Sequence, residues 1–193
     1  MTDIRDLDRQ AVRTSVDIVS ALTGADLDRP TPCESWTVSE LLAHMTVQHH
    51  GFAAAAHGEG GDLAKWAVQP LAADPVQAYA EAAETVIAAF AEPGALDRRF
   101  TLAEFEGASF PAPMAMSFHF IDYVVHGWDM ARALDLPFEL ADDLAEPALK
   151  IALAVPDDER RRRPDAPFRP ALSTDQESPL DRILTHLGRS PAW

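Results

Sequence analysis

At 193 residues the chain is long enough to bury one full core and short for two, so a single domain over residues 1–193 is expected. Hydrophobic residues make up 47%, which argues against disorder. Thirty-one acidic residues against 16 basic ones give a net charge of −15, which disfavours phosphate backbones and anionic membranes, so neither nucleic acid nor a membrane is expected as a partner. No apolar run approaches the ~20 residues of a membrane span. No export signal is visible near Met1. Cys33, the single cysteine, has no partner for an internal disulfide, and a reducing cytoplasm is the expected compartment.

Residues 3–22 carry Ile4, Leu7, Ala11, Ile18 and Leu22 at helical spacing, and Gly24 ends that segment. A loop with two prolines follows. Thr37-Val38-Ser39-Glu40 is a capping box that opens a second helix over residues 38–56, closed by Gly58, Gly60 and Gly61. Asp74-Pro75 starts a third helix, with aspartate as cap and proline in the first turn, and Glu92-Pro93-Gly94 ends it. Residues 100–105 read as a short extended piece. A fourth helix begins near residues 111–113 and runs to about Leu134; a fifth fits residues 140–155. A loop rich in proline and arginine, residues 156–177, precedes a short last helix from Ser178-Pro179 to Gly188. The arginines at 160–163 read as a solvated run paired with Asp157, Asp158 and Glu159. Strand signals are weak, and the expected fold is an all-α bundle of four main helices with additional short ones.

The fourth helix carries two stripes. Met114, Phe118, Ile121, Val125 and Trp128 form an apolar one that should face the core. His119, Asp122, His126 and Asp129 form a polar one beside it, where bundle interiors build ligand sites. Asp122 and His126 are four apart, so their side chains meet; a carboxylate and an imidazole at that spacing suit a divalent cation, or equally a plain hydrogen-bonded pair. On the second helix His44 lies beside the core positions Leu41, Leu42, Met45 and Phe52. A lone histidine there is more often a satisfied core group than a ligand. His49, His50 and His57 read as solvated.

Thr31-Pro32-Cys33-Glu34-Ser35-Trp36-Thr37-Val38 with Leu41-Leu42-Ala43-His44 resembles the first helical hairpin of the DinB-like superfamily. More closely, it is similar to the N-terminal domain of mycothiol-dependent maleylpyruvate isomerase and its actinobacterial metal-binding relatives. Asp122-Tyr123-Val124-Val125-His126-Gly127-Trp128-Asp129 resembles the second metal motif of that group, and the stretch from Asp181 to Trp193 its tail. The resemblance implies a four-helix bundle with a metal bound by His44, Asp122 and His126. The isomerase has glutamate where this chain has Asp122, and the shorter arm implies looser or water-bridged coordination. The isomerase also carries a further C-terminal domain with no counterpart expected here.

Three protein ligands leave a position open to water or substrate. His119 is the candidate for a fourth ligand, although a core or supporting role suits it better. Asp129 either fixes the tautomer of a ligand histidine or pairs with Arg132. Zinc is the first choice of metal, with nickel, iron or manganese as alternatives. The implied chemistry is activation of a low-molecular-weight thiol, mycothiol or a similar one, in an S-transferase or isomerase reaction on a small molecule. A non-catalytic bundle binding metal or a small ligand is the alternative. Cys33 reads as a buried structural thiol without an adjacent histidine or cation, and Trp36 and Trp128 as packing residues, either of which could instead line a pocket. No catalytic acid or base is named by the sequence, no further cofactor-binding motif is found, and a homodimer is left open.

Overall fold

The computed structural model describes residues 3–33, 36–163, 166–173 and 178–193. Among them are α1 (Ile4–Val19), α2 (Val38–Ala56), α3 (Pro75–Ala91), α4 (Ala112–Ala133), α5 (Asp142–Ala154) and α6 (Pro179–His186), with one antiparallel hairpin of β1 (Arg99–Leu102) and β2 (Ala108–Pro111). Glu34 and Ser35 of the motif that opens the second helix lie outside the described residues, as do parts of the 156–177 loop.

The helix starts follow local chemistry. The Thr37 hydroxyl accepts from the Glu40 amide at 3.3 Å while the Glu40 carboxylate accepts from the Thr37 amide at 2.8 Å. Asp74 caps Gln77 at 3.0 Å and Ser178 caps Asp181 at 3.1 Å, each followed by proline in the first turn. These caps satisfy amides that have no intrahelical acceptor.

Helices α1 to α4 form the bundle: α1 packs on α4 and α2 on α3, while α1–α3 and α2–α4 contacts close the ring. Leu41, Leu42, Met45, Tyr79, Phe120, Tyr123 and Val124 fill its centre. A second apolar cluster, with Phe52, Trp66, Phe90, Phe100 and Met116, lies under the hairpin. Helix α4 is buried on nearly every side between Met116 and Ala133. The two expected stripes are therefore both largely enclosed, with His119, His126 and Asp129 as buried as their apolar neighbours. Met114, expected in the core stripe, is instead 49% exposed, because the first turn of α4 buries its other face through Ala112 and Ala115.

The expected extended piece is the hairpin, with Phe100 paired to Phe110. Its turn passes through Glu106 and Gly107, both at positive φ, and Gly107 takes that conformation without a Cβ clash. Helix α2 is held close to the segment Leu63–Trp66 because Gly51 lacks a side chain; a Cβ there would overlap the Trp66 ring. No helix among the described residues is long and apolar enough to cross a membrane. The arginine run divides. Arg160 pairs with Asp158 at 2.6 Å and Arg162 with Glu159 at 3.3 Å, as expected. Arg161 is buried, not solvated, and donates to the carbonyls of Pro156, Val155 and His186, tying the loop to α6.

Candidate metal centre

His44 on α2 and Asp122 and His126 on α4 converge. His126 Nε2 lies 3.4 Å from Asp122 Oδ1, and His44 Nε2 lies 3.9 Å from Asp122 Oδ2. The two imidazole rings sit 5.1 Å apart, edge to face. One ligand atom from each residue falls within 4.8 Å of the others. Tetrahedral coordination with bonds of about 2.1 Å separates ligand atoms by about 3.4 Å. The three side chains are thus close enough together that one small divalent cation could be shared among them.

The sequence brings these groups together by simple geometry. Asp122 and His126 are one turn apart on the same face of α4. Helix α2 runs antiparallel against it, so His44 meets His126 near one end while His49 meets His119 farther along. The Met45 carbonyl accepts from the Tyr123 hydroxyl and fixes this register.

Both imidazoles present a ring nitrogen to this group. Burial, reinforced by His126 and Arg189 and opposed by Asp122, holds His44 down to about 4, so its ring is neutral at pH 7 and offers a lone pair. His126 Nδ1 donates to Asp129 Oδ2 at 2.9 Å, which leaves Nε2 as the free acceptor directed at Asp122. Asp129 is fully buried; burial alone would raise its carboxyl, but Arg189 and His126 outweigh it and keep it below the usual range. Arg189 holds both Asp129 oxygens, with contacts of 3.1 to 3.3 Å. Of the two expected partners for Asp129, His126 is the one it meets. Arg132 binds the main-chain oxygen of Trp193 instead.

His119 takes the core role that suited it better than a fourth ligand: its Nδ1 donates to Asp8 at 2.6 Å and its Nε2 faces His49 Nδ1 at 3.2 Å. Other expectations are corrected. His49 is fully buried rather than solvated, stacked on Tyr123 at 4.2 Å. His50 is exposed, and His57 pairs with Glu92 at 3.0 Å on the surface. Cys33 does have a histidine and a cation beside it. It forms a second cluster with His126 and Asp129, close to Arg189, because the loop before α2 and the C-terminal tail meet there. Burial pushes its thiol up to about 11, so it stays protonated at neutral pH, and Asp129 is already committed to Arg189. The His44–Asp122–His126 group is therefore the better cation seat. Trp36 is more than packing: its ring lies 4.7 Å from His44 and 6.1 Å from His126, forming one wall of the site. Gln48, Glu104 and Arg189 were not singled out by the sequence. Gln48, four residues after His44 on the same face, was the signal available.

A model of the mycothiol maleylpyruvate isomerase N-terminal domain matches residues 9–131. The chain belongs to this family. An uncharacterized protein of Mycobacterium tuberculosis, found in the strains CDC 1551 / Oshkosh and ATCC 25618 / H37Rv, is 29% identical over 170 residues, covering 85% of each chain. The crystal structure of the mycothiol-dependent maleylpyruvate isomerase matches with a TM-score of 0.68 at 16% identity, over 98% of this chain and 93% of that one. A histidine-to-alanine mutant of that isomerase matches equally well, over 94% of its chain. At that identity the likeness concerns the fold. It extends over nearly all of the isomerase chain.

Two predictions follow from the family member's site. Asp129→Asn keeps the shape but weakens the anionic acceptor behind His126 and unbalances Arg189. Zinc affinity should fall roughly 10- to 100-fold, measured by competition with a chromophoric chelator; an unchanged affinity would show that the His126 orientation does not depend on Asp129. The second concerns pH. His44 and His49 both sit below 6.5 in the folded chain, the latter well below because of burial and the nearby His119 and His50. The unfolded chain binds protons at these rings first, so metal-free protein has its full contribution above about pH 6.5 and loses it as pH falls through 6.5 towards 4. Thermal unfolding of metal-free protein should show the loss across that window; a flat Tm from pH 7 to 4.5 would contradict it.

Proposed function

We propose that this protein is a metal-dependent enzyme that activates a low-molecular-weight thiol, mycothiol first among candidates, for S-transfer to or isomerisation of a small electrophile. His44, Asp122 and His126 are the proposed metal ligands, within one domain spanning residues 1–193. The observation that carries the reading is their ligand-atom spacing of 3.4 and 3.9 Å on a rim that keeps His44 and Asp122 about one-fifth exposed. A site closed on all sides by protein would serve structure; one with a solvent-facing side admits a substrate.

Zinc is the favoured ion, with nickel, iron or manganese compatible with two imidazoles and a carboxylate. A divalent cation there would lower the pKa of a thiol placed in the open position. The chain's own groups do the rest. Asp129 and Arg189 hold His126 in one tautomer, and Trp36 covers one flank of the two imidazoles. Membership of a family named for mycothiol maleylpyruvate isomerase supports the thiol.

The test is to load purified protein with each metal and measure loss of free thiol and appearance of conjugate or isomer, using mycothiol with a panel of small electrophiles. Turnover that needs both metal and thiol is the expected result. Stoichiometric metal without any conjugate or isomer would favour a non-catalytic metal- or ligand-binding bundle.

A further inference from the structure

The proposed chemistry lacks a proton carrier among the three ligands, and the hairpin supplies one. Glu104, in the turn Ala103–Phe105 that follows β1, receives Gln48 Nε2 at 3.0 and 2.9 Å to its two carboxylate oxygens. Gln48 is itself buried, 5% exposed, so this tether is anchored in the bundle. Two independent contacts tie the Glu104 turn to residues one helical turn from the ligand group. Gln48 stands four residues beyond His44 on α2, one turn or about 5.4 Å along the same face. Phe105, next to Glu104, stacks on Phe118 with ring centres 5.5 Å apart, and Phe118 stands one turn before Asp122 on α4. Because α2 and α4 are antiparallel, both contacts lie toward the same end of the ligand group. Phe110 packs against both rings, 5.5 Å from Phe105 and 5.2 Å from Phe118, and fixes the hairpin over the helix.

We infer that Glu104, held by Gln48, is the acid and base of the thiol reaction; this rests on the function proposed above. In the forward step the thiol S–H bond breaks and its proton moves to a Glu104 oxygen. The sulfur electron pair forms a C–S bond to the β-carbon of an α,β-unsaturated carbonyl compound, and the displaced π pair moves to the α-carbon. Glu104 then returns its proton to that α-carbon, which completes an S-conjugate. For isomerisation the same steps reverse after rotation about the new single bond: Glu104 takes the α-proton, the C–S bond breaks, and the thiol regains its proton. No oxidant or reductant is needed. The carboxyl is suited to both directions, since loss of hydration and the charge of Asp122 raise it above the usual range against the opposing hydrogen bond from Gln48.

The deciding experiment counts protons. Mycothiol, with N-acetylcysteine as a minimal thiol, is titrated calorimetrically at pH 7 into zinc-loaded wild type and Glu104→Gln, in two buffers of different ionisation enthalpy. Wild type should release measurably less proton per thiol bound than Glu104→Gln, at equal zinc content. With an unsaturated carbonyl substrate, Glu104→Gln should also lose about 100-fold or more in kcat, with partial recovery in Glu104→Asp. Equal proton release from both proteins while both bind thiol would overturn the Glu104 assignment alone. Failure of wild type to bind any thiol would overturn the functional reading and this assignment with it.

Discussion

His126→Ala is expected to lower zinc affinity by more than about 100-fold while leaving the helical content unchanged, and His44→Ala to do the same. Substituting a group that merely supports a ligand lowers metal affinity roughly 10- to 100-fold, so removing a ligand should exceed that. The fold should tolerate both changes. His44 lies at the rim, with 23% of its side chain exposed. His126 is buried, but its truncation leaves the Asp129–Arg189 pair intact, so no charge is orphaned. The helices depend on caps and apolar packing elsewhere, not on these rings. Metal content by elemental analysis and affinity by chelator competition measure the first effect, and far-ultraviolet circular dichroism the second. Stoichiometric zinc retained in either variant would remove that residue from the ligand set.

The largest stability effect is expected far from the rim. Asp8→Ala should destabilise the protein by about 2–3 kcal/mol, the upper part of the range for leaving a buried hydrogen-bond donor without its partner. Asp8 on α1 and His119 on α4 are 1% and 0% exposed and meet at 2.6 Å. His119 passes the contact on to His49 of α2, so one polar chain pins three helices of the bundle. With Asp8 absent, the His119 Nδ1 proton has no acceptor and no water to reach, a full desolvation penalty. His49 Nε2 already lacks a partner among the described buried side-chain atoms, so the chain has no slack to absorb the loss. Against a typical total of about 5–15 kcal/mol, such a change is a large fraction. It corresponds to a drop in Tm of roughly 4–12 °C for a domain of this size. Asp8→Asn keeps an acceptor oxygen and should lose less. Zinc stoichiometry of the folded Asp8 variant should remain that of wild type, because none of the three groups is a proposed ligand. A Tm within about 2 °C of wild type for Asp8→Ala would show that the network contributes little.

These two predictions separate histidines that looked alike in the sequence. His44, His49 and His119 all lie on helices beside apolar residues, and the polar stripe of α4 joined His119 to Asp122 and His126. In the folded chain one helical turn decides their fate. The face that meets Trp36 and solvent carries His44, Asp122 and His126, while His49 and His119 fall at a level enclosed by Tyr79, Tyr123, Phe52 and Phe90. Spacing along a helix reports which residues share a face, and is silent on what covers that face.

What the amino-acid order determined unaided is what depends on near neighbours. The Thr37–Glu40 box, the Asp74-Pro75 and Ser178-Pro179 starts, the extended piece at Phe100 and the Asp122–His126 pairing all rest on atoms within a few residues of one another, so they are readable one segment at a time. The family likeness added His44 to that pair, from motif words rather than from periodicity. The tertiary structure alone decided the rest. It brought Arg189 sixty positions along the chain to Asp129, Cys33 to His126, Asp8 to His119, and the Glu104 hairpin to Gln48. Those contacts depend on how rigid helices pack and on where loops return, which is a property of the whole core and leaves no local pattern in the sequence.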